Sequence, residues 1–324
     1  MLPRCIIAVM IQSSKSPKKR NIQIVIRWGG TILSIGIVIY LLSRVGWGEA
    51  WQTIRQLTAW RILLVVVLVF VSRFATFGRW YMLLKDQTPT LSLVDTLKLT
   101  FAGLFASNVL PTTIGGDVLR LAGAVRLGLS TSLAAASLVV DRLVGMTGMV
   151  LMVPFSVPGL TSYLSSRTLS APAGSMALPF FSRLRRGFQK ILDDLRFWSK
   201  HPLILLKALG FTLIHQAAIY LIILVLIEGM GETLSFWQIA GIWSLTYFIT
   251  LLPISINGLG LQEVTITNLY TFLGGLSPAT SIALALILRL VWLVGSLPGA
   301  FFVGDVLAGK SPTDLEEPLP EEAL

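Results

Sequence analysis

Two stretches hold residue types that apolar sequence seldom carries together. Leu110-Pro-Thr-Thr-Ile-Gly-Gly-Asp117, followed by Arg120, interrupts the apolar run Leu97–Val109. Leu252-Pro-Ile-Ser-Ile-Asn-Gly-Leu-Gly-Leu-Gln-Glu263 interrupts the run Phe236–Leu251 in the same manner. Each reads Leu-Pro, two residues, Ile, then glycine and an acid, and each precedes an apolar helix with a deeply placed arginine, Arg142 or Arg289. A helix broken at such a point exposes unpaired N–H groups at one half's start and carbonyls at the other half's end. With Arg120, Arg142 and Arg289 in reach, two breaks would build a small positive pocket suited to an anion such as a lipid phosphate. Asp117, Asp141 and Glu263 would then position those arginines, or read a cationic group or a coupling proton. Ion pairs that only fix helix packing are the competing expectation, since paired charges in a membrane are also structural devices.

The elements that must hold these residues follow from composition. The chain is 54% hydrophobic and 13% charged, with mean hydropathy +0.77. So little charge could not cover a soluble surface, so the fold class is an all-α polytopic membrane bundle of about seven spans. Two broken or re-entrant segments belong to that bundle. Paired broken segments are a recognised pointer to a transport site, because freed backbone must face protein or water rather than lipid. The net charge of +10 suits cytoplasmic loops facing anionic lipid, and nucleic acid is not an expected partner. One cysteine, Cys5, and two histidines, His201 and His215, exclude an internal disulfide and a Cys/His metal site.

Taken in order, residues 1–25 form a basic segment with no acid, expected in the cytoplasm, so a first span at Ile26–Ser43 runs outward. Val45–Trp60 suits an interfacial helix. Arg61–Leu84 is a span in which Arg73 should face a wet cavity or an acid, while Arg79, beside Trp80 and Tyr81, should snorkel to the headgroups. Leu97–Val109 falls short of the ~20 residues a crossing needs. Ser132–Val157 and Leu203–Ile227 are spans, and His215 in the second should hydrogen-bond a neighbouring helix. Between them lie a polar stretch, Thr161–Phe181, and a basic amphipathic helix near 182–201. Ala279–Leu307 is a long last span, expected to tilt. The membrane domain thus covers residues 26–308, and an acidic, proline-bearing tail covers 309–324. No nucleophile motif, metal motif or phosphate loop is present, so no cofactor is expected and an enzyme is the less favoured class.

The chain resembles the flippase-like membrane region of lysylphosphatidylglycerol synthases in its stand-alone form. The matching pieces are Arg79-Trp80-Tyr81 with Leu83-Leu84, and Asn108, Pro111, Gly115, Gly116, Asp117 and Arg120 at their spacing. Further along come Asp141-Arg142-Leu143-Val144-Gly145, then Leu252, Pro253, Ser255, Asn257, Gly258, Leu259, Gly260 and Glu263, and finally Arg289. The resemblance implies an integral membrane protein that translocates, or helps position, an amphiphile with a polar headgroup, and the expected activity is translocation of an anionic or lipid-linked amphiphile across the cytoplasmic membrane. Synthase activity is not carried over, because the chain ends soon after its last span. On this reading Arg120, Arg142, Arg289, Asp117, Asp141, Glu263, Asn108 and Asn257 bind substrate. Pro111, Gly115, Gly116, Pro253, Gly258 and Gly260 shape the breaks. Membrane lipids are the expected partners, with an envelope-synthesis enzyme as a further one; oligomeric state is not read. The alternatives are a membrane-embedded transferase acting on a lipid phosphate, and a non-transporting subunit of an envelope lipid or glycan pathway.

Overall fold

The structure, a computed structural model, describes residues 47–85, 87, 91–109, 115–156, 198, 201–251 and 260–308. Within them the chain is helical: α1 (Trp47–Arg55), α2 (Ala59–Leu84), α3 (Leu93–Val109), α4 (Gly115–Arg126), α5 (Thr131–Met152), α6 (Pro202–Gly229), α7 (Phe236–Thr250), α8 (Leu261–Phe272), α9 (Pro278–Ser296) and α10 (Pro298–Ala308). A 3-10 turn, Val153–Ser156, extends α5. Four of these elements, α2, α5 with its turn, α6 and α9, are long and apolar enough to cross a membrane. The 28 residues of α6 reach about 42 Å at 1.5 Å per residue, more than a hydrocarbon core. The first expected span, the basic helix (Trp198 apart) and the acidic tail lie outside the described residues.

Local sequence sets where the helices start. Ser130 accepts from the Leu133 N–H at 3.2 Å to cap α5, and Ser277 accepts from the Thr280 N–H at 3.2 Å with Pro278 opening α9. Ser235 and Gln238 form a reciprocal capping box at α7. The sequence expects one tilted span over Ala279–Leu307, but two helices, α9 and α10, occupy it. Pro298 has no N–H and its ring crowds the carbonyl four residues back, so the helix ends and restarts there. The second piece folds onto α3, where Gly299 approaches so closely that a Cβ would lie 1.9 Å from the Phe101 carbonyl oxygen.

The most extensive helix pair is α2 with α6, and Gly78 seats the Phe211 ring between them. The central core gathers α2, α6, α7, α8 and α9 around Ile222, Ile223, Leu226, Ile239 and Ile266. A second core joins α2, α3, α4, α5 and α10 around Trp80. Trp198, from the basic stretch, is 1% exposed and donates its indole N–H to the Leu83 carbonyl at 3.1 Å, so that point docks on the bundle.

The two broken segments repeat one design. A helix of 17 residues (α3) or 15 (α7), either one too short to cross, leads through a break to a helix of 12 (α4 or α8). Asp117 and Glu263 are each the third residue of the second helix. Arg142 and Arg289 are each the twelfth of the helix that follows.

Candidate functional site

In each repeat the acid and the arginine meet. Arg142 Nε donates to Asp117 Oδ2 at 2.6 Å, and Arg289 Nε donates to Glu263 Oε1 at 2.6 Å. Matching helix positions therefore produce matching contacts. The two pairs do not share one pocket, however. Asp117 and Arg142 line a cavity of about 170 Å³, and Arg289, with Glu263 behind it, lines an adjoining one of about 330 Å³, with Leu104, Ser107, Met149, His215 and Tyr247 common to both walls.

The first cavity is built on a chain of alternating charges. Arg79 Nε donates to Asp141 Oδ1 at 2.7 Å, and Arg120 Nη1 reaches both Asp141 Oδ2 and Asp117 Oδ1 at 3.4 Å. Asp117 also accepts from the Arg142 Nη2 group. Three arginines against two aspartates leave one positive charge. The inner members are sealed: the Asp141 side chain is 4% exposed and that of Arg120 8%, whereas that of Arg142 is 40% exposed at the rim. Arg120 stacks over Trp80 at 4.1 Å, with Trp80 held by its indole N–H on Ser137 Oγ at 3.1 Å. Its Nε and Nη2 are buried with no hydrogen-bond partner among the described residues. The site thus holds a net positive charge, with guanidinium donors that no group among the described residues fills.

Glycines make this crowding possible. At Gly116 a Cβ would fall 2.2 Å from the Gly103 carbonyl oxygen, and at Gly103 it would strike Arg120 Cγ at 2.6 Å. Gly145 leaves room for Arg79 Nη1, 3.1 Å from its virtual Cβ. Further in, His215 Nδ1 lies 2.8 Å from Ser72 Oγ, 3.2 Å from Thr76 Oγ1 and 3.1 Å from the Ser72 carbonyl. The Ser72 carbonyl only accepts, so that contact is a hydrogen bond when Nδ1 carries the proton, while the hydroxyls can serve either tautomer. His215 thus bonds to α2, the neighbouring helix.

Of the sequence-based candidates, Asp117, Arg120, Asp141 and Arg142 come together, while Glu263, Arg289 and Asn108 belong with the second cavity. Asn108 donates to the Leu104 carbonyl at 3.3 Å. Gly115 and Gly116 are the buried first residues of α4, and Gly260 precedes α8 at φ 76°, a left-handed conformation suited to glycine. Asn257, Pro111, Pro253 and Gly258 lie outside the described residues. One expectation is overturned: Arg79 does not snorkel but is 8% exposed and paired with Asp141. Its membership could be read from Ser72, Thr76 and Arg79, whose 4- and 3-residue spacing draws a polar stripe down one face of α2. Arg73 faces the second cavity, as expected of a mid-span cation.

Beside the first cavity lies an apolar groove of about 590 Å³, floored by Leu121, Leu138 and Met146. Val118 and Val139 on its edges are 40% and 41% exposed. Asp117 and Arg142 border the groove and the charged cavity alike. Among the described residues no group of three or more His, Cys, Asp or Glu side chains could hold a metal ion. Compared with known proteins, the chain matches a family model described as the lysylphosphatidylglycerol synthase TM region over residues 27–299, well over half its length. No curated protein matches it.

Proposed function

Starting from the chain's membership of the lysylphosphatidylglycerol synthase membrane-region family, we propose that it moves an amphiphile with an anionic or lipid-linked headgroup across the cytoplasmic membrane. One observation carries this reading: a net-positive cavity with buried inner charges and an open apolar groove meet at Asp117 and Arg142. Such a junction fits a molecule with a charged head and a hydrocarbon tail. Arg120 and Arg142 take the headgroup's anionic oxygens, and Asp117 and Asp141 hold the arginines in place. Binding costs little reorganisation, because the ion-pair chain is already formed and Arg120 already has unfilled donors. The sequence of the basic start, with Lys15, Lys18, Lys19 and Arg20, supports a cytoplasmic N-terminus under the positive-inside rule.

A transferase would need a base free to take a proton. Both Asp117 oxygens are engaged by arginines, so a transferase would have to use Glu263, whose Oε2 has no hydrogen-bond partner among the described residues but whose Oε1 is held by Arg289. The groove supplies a test that leaves every charge intact. Ala135→Trp would fill the groove, and in proteoliposomes it should cut lipid flux at least tenfold while the protein remains folded. Unaltered flux with the groove filled would remove the groove from the transport path.

A further inference from the structure

α6 is apolar along most of its length, yet Thr212, His215 and Gln216 share one of its faces at helical spacing. Thr212 receives Arg79 Nη1 at 3.4 Å, and Gln216 donates to the Gly145 carbonyl at 3.2 Å. His215 alone of the three is titratable, and it stands in the wall common to both cavities. All of its hydrogen bonds run through Nδ1 to Ser72 and Thr76 of α2. Nε2 has no partner among the described residues, and it is not sealed from solvent. The ring is half-buried, so its accessible nitrogen is Nε2, and the space that His215 borders is the two cavities.

The charge around that ring is lopsided. On the side of the first cavity stand Arg79 of α2, Asp117 and Arg120 of α4, and Asp141 and Arg142 of α5. On the side of the second stand Arg73 of α2 and Arg289 of α9, with Glu263 of α8 paired to Arg289. Tyr247 of α7 borders both, and α3 brings only uncharged groups. Five arginines against three carboxylates leave two positive charges. An imidazolium here is repelled by that excess, and an anion in either cavity offsets the repulsion. Binding free energies are reciprocal, so a charged His215 holds the anion more tightly by the same factor.

We propose that His215 is a proton-binding site linked to anion occupancy, so that the chain takes up one proton from water together with an anionic headgroup. This site rests on the anion-binding reading above and supplies its coupling ion. The proton goes to Nε2, while Nδ1–H keeps its hydrogen bond to the Ser72 carbonyl. The new Nε2–H is then free to donate to an anion oxygen. For a singly charged headgroup the pair carries no net charge, so a pH difference rather than the membrane potential biases its movement.

The chain has two histidines, His201 and His215, so nitrogen NMR of the imidazoles can follow each in the full chain purified in detergent. His201→Gln identifies the signal that remains. The pH titration is run alone and with dihexanoyl phosphatidylglycerol, dihexanoyl phosphatidylcholine or sulfate, none of which titrates between about pH 6 and 8, where histidine does. The anionic lipid should raise the proton affinity of His215 about fivefold or more. Its own affinity for the protein should rise as pH falls through that range, and the zwitterionic lipid should show neither effect. In His215→Asn, whose amide can keep the hydrogen bond to α2, anionic-lipid affinity should be flat with pH. The wild-type titration needs no substitution at this position, so a misfolded His215→Asn does not silence the test. An equal effect of sulfate would support the proton site while making a free oxyanion its ligand. Anion binding that is flat with pH and leaves the His215 titration unmoved would overturn the proton site and spare the anion reading. No saturable binding of either anion at any pH would overturn the anion reading, and the linkage with it.

Discussion

Single charges in this protein differ in what they can be asked to do, and exposure separates them. Asp141 accepts from both Arg79 and Arg120 in a sealed position, so Asp141→Asn strands two buried cations. Removing one partner of a buried charge set costs about 3–5 kcal/mol. Arg142 is 40% exposed at the cavity rim, and losing a partly exposed partner costs about 1 kcal/mol or less. Thermal unfolding in detergent should therefore show a large drop for Asp141→Asn and a small one for Arg142→Ala, while flux is lost in both. Equal drops would mean that Arg142 is as structural as Asp141. The sequence exposed these residues unevenly. Asp117 and Glu263 announced themselves as acids next to proline–glycine breaks, and Arg142 and Arg289 as charges deep in the apolar helices that follow. Arg79 was disguised by Trp80 and Tyr81, which mimic an interfacial anchor, and only its alignment with Ser72 and Thr76 points inward.

At the scale of helices, close approach decides the architecture. Gly116 begins α4 against the Gly103 carbonyl and Ser107 Oγ of α3, where a Cβ would sit 2.2 Å and 2.0 Å away. Gly116→Ala must push α3 and α4 apart, and overpacking of this kind costs roughly 1–3 kcal/mol. Gly304 in α10 has nothing within 4 Å of its virtual Cβ, so Gly304→Ala should be neutral or slightly stabilising. Unfolding temperatures of the two variants compared side by side check this, and an unaffected Gly116→Ala would refute the tight α3–α4 contact.

A second helix-scale device is Glu232, before α7. It accepts from the Ser277 N–H at 3.1 Å and from Ser277 Oγ at 2.7 Å, tying that turn to the start of α9. Partial burial pushes its carboxyl up, but hydrogen bonds from Thr280 and Ser277 outweigh this and hold it below the ordinary carboxylate value. A depressed folded-state value adds stability above the ordinary carboxylate pKa and loses it as pH falls through the folded one. Unfolding temperature should decline through roughly pH 5 to 3, and Glu232→Gln should remove that part of the decline. An identical acid profile in the variant would contradict the tie. Breaks and starts of helices were legible in sequence wherever proline, glycine or a capping serine marked them. Pro298, flanked by Gly295, Ser296 and Gly299, was less conspicuous because no charged residue marks the stretch Leu290 to Phe302.

Most of the described residues form two similar units, α2–α5 and α6–α9, that meet through α2 and α6. Each unit brings a carboxylate at the start of a 12-residue helix onto an arginine in the next helix. The repeat was readable as a pattern of Leu-Pro, Ile, glycine and acid. Its spatial result was not, because pattern does not say which helices become neighbours. Arg289 could be grouped with Arg142 in one pocket until packing set them in adjoining cavities with His215 in the shared wall. The two adjoining charged cavities and the apolar groove lie in one bundle, and translocation along them is the proposal that the flux measurement below tests.

The most direct test is movement of fluorescent lipids between leaflets of liposomes holding the purified chain, wild type beside Arg142→Ala, with anionic and neutral headgroups compared. Flux of the anionic lipid that exceeds the neutral one, and falls at least tenfold in Arg142→Ala, is the expected result. Flux that is absent for every lipid, or undiminished without the Arg142 guanidinium, would contradict translocation through the charged cavity.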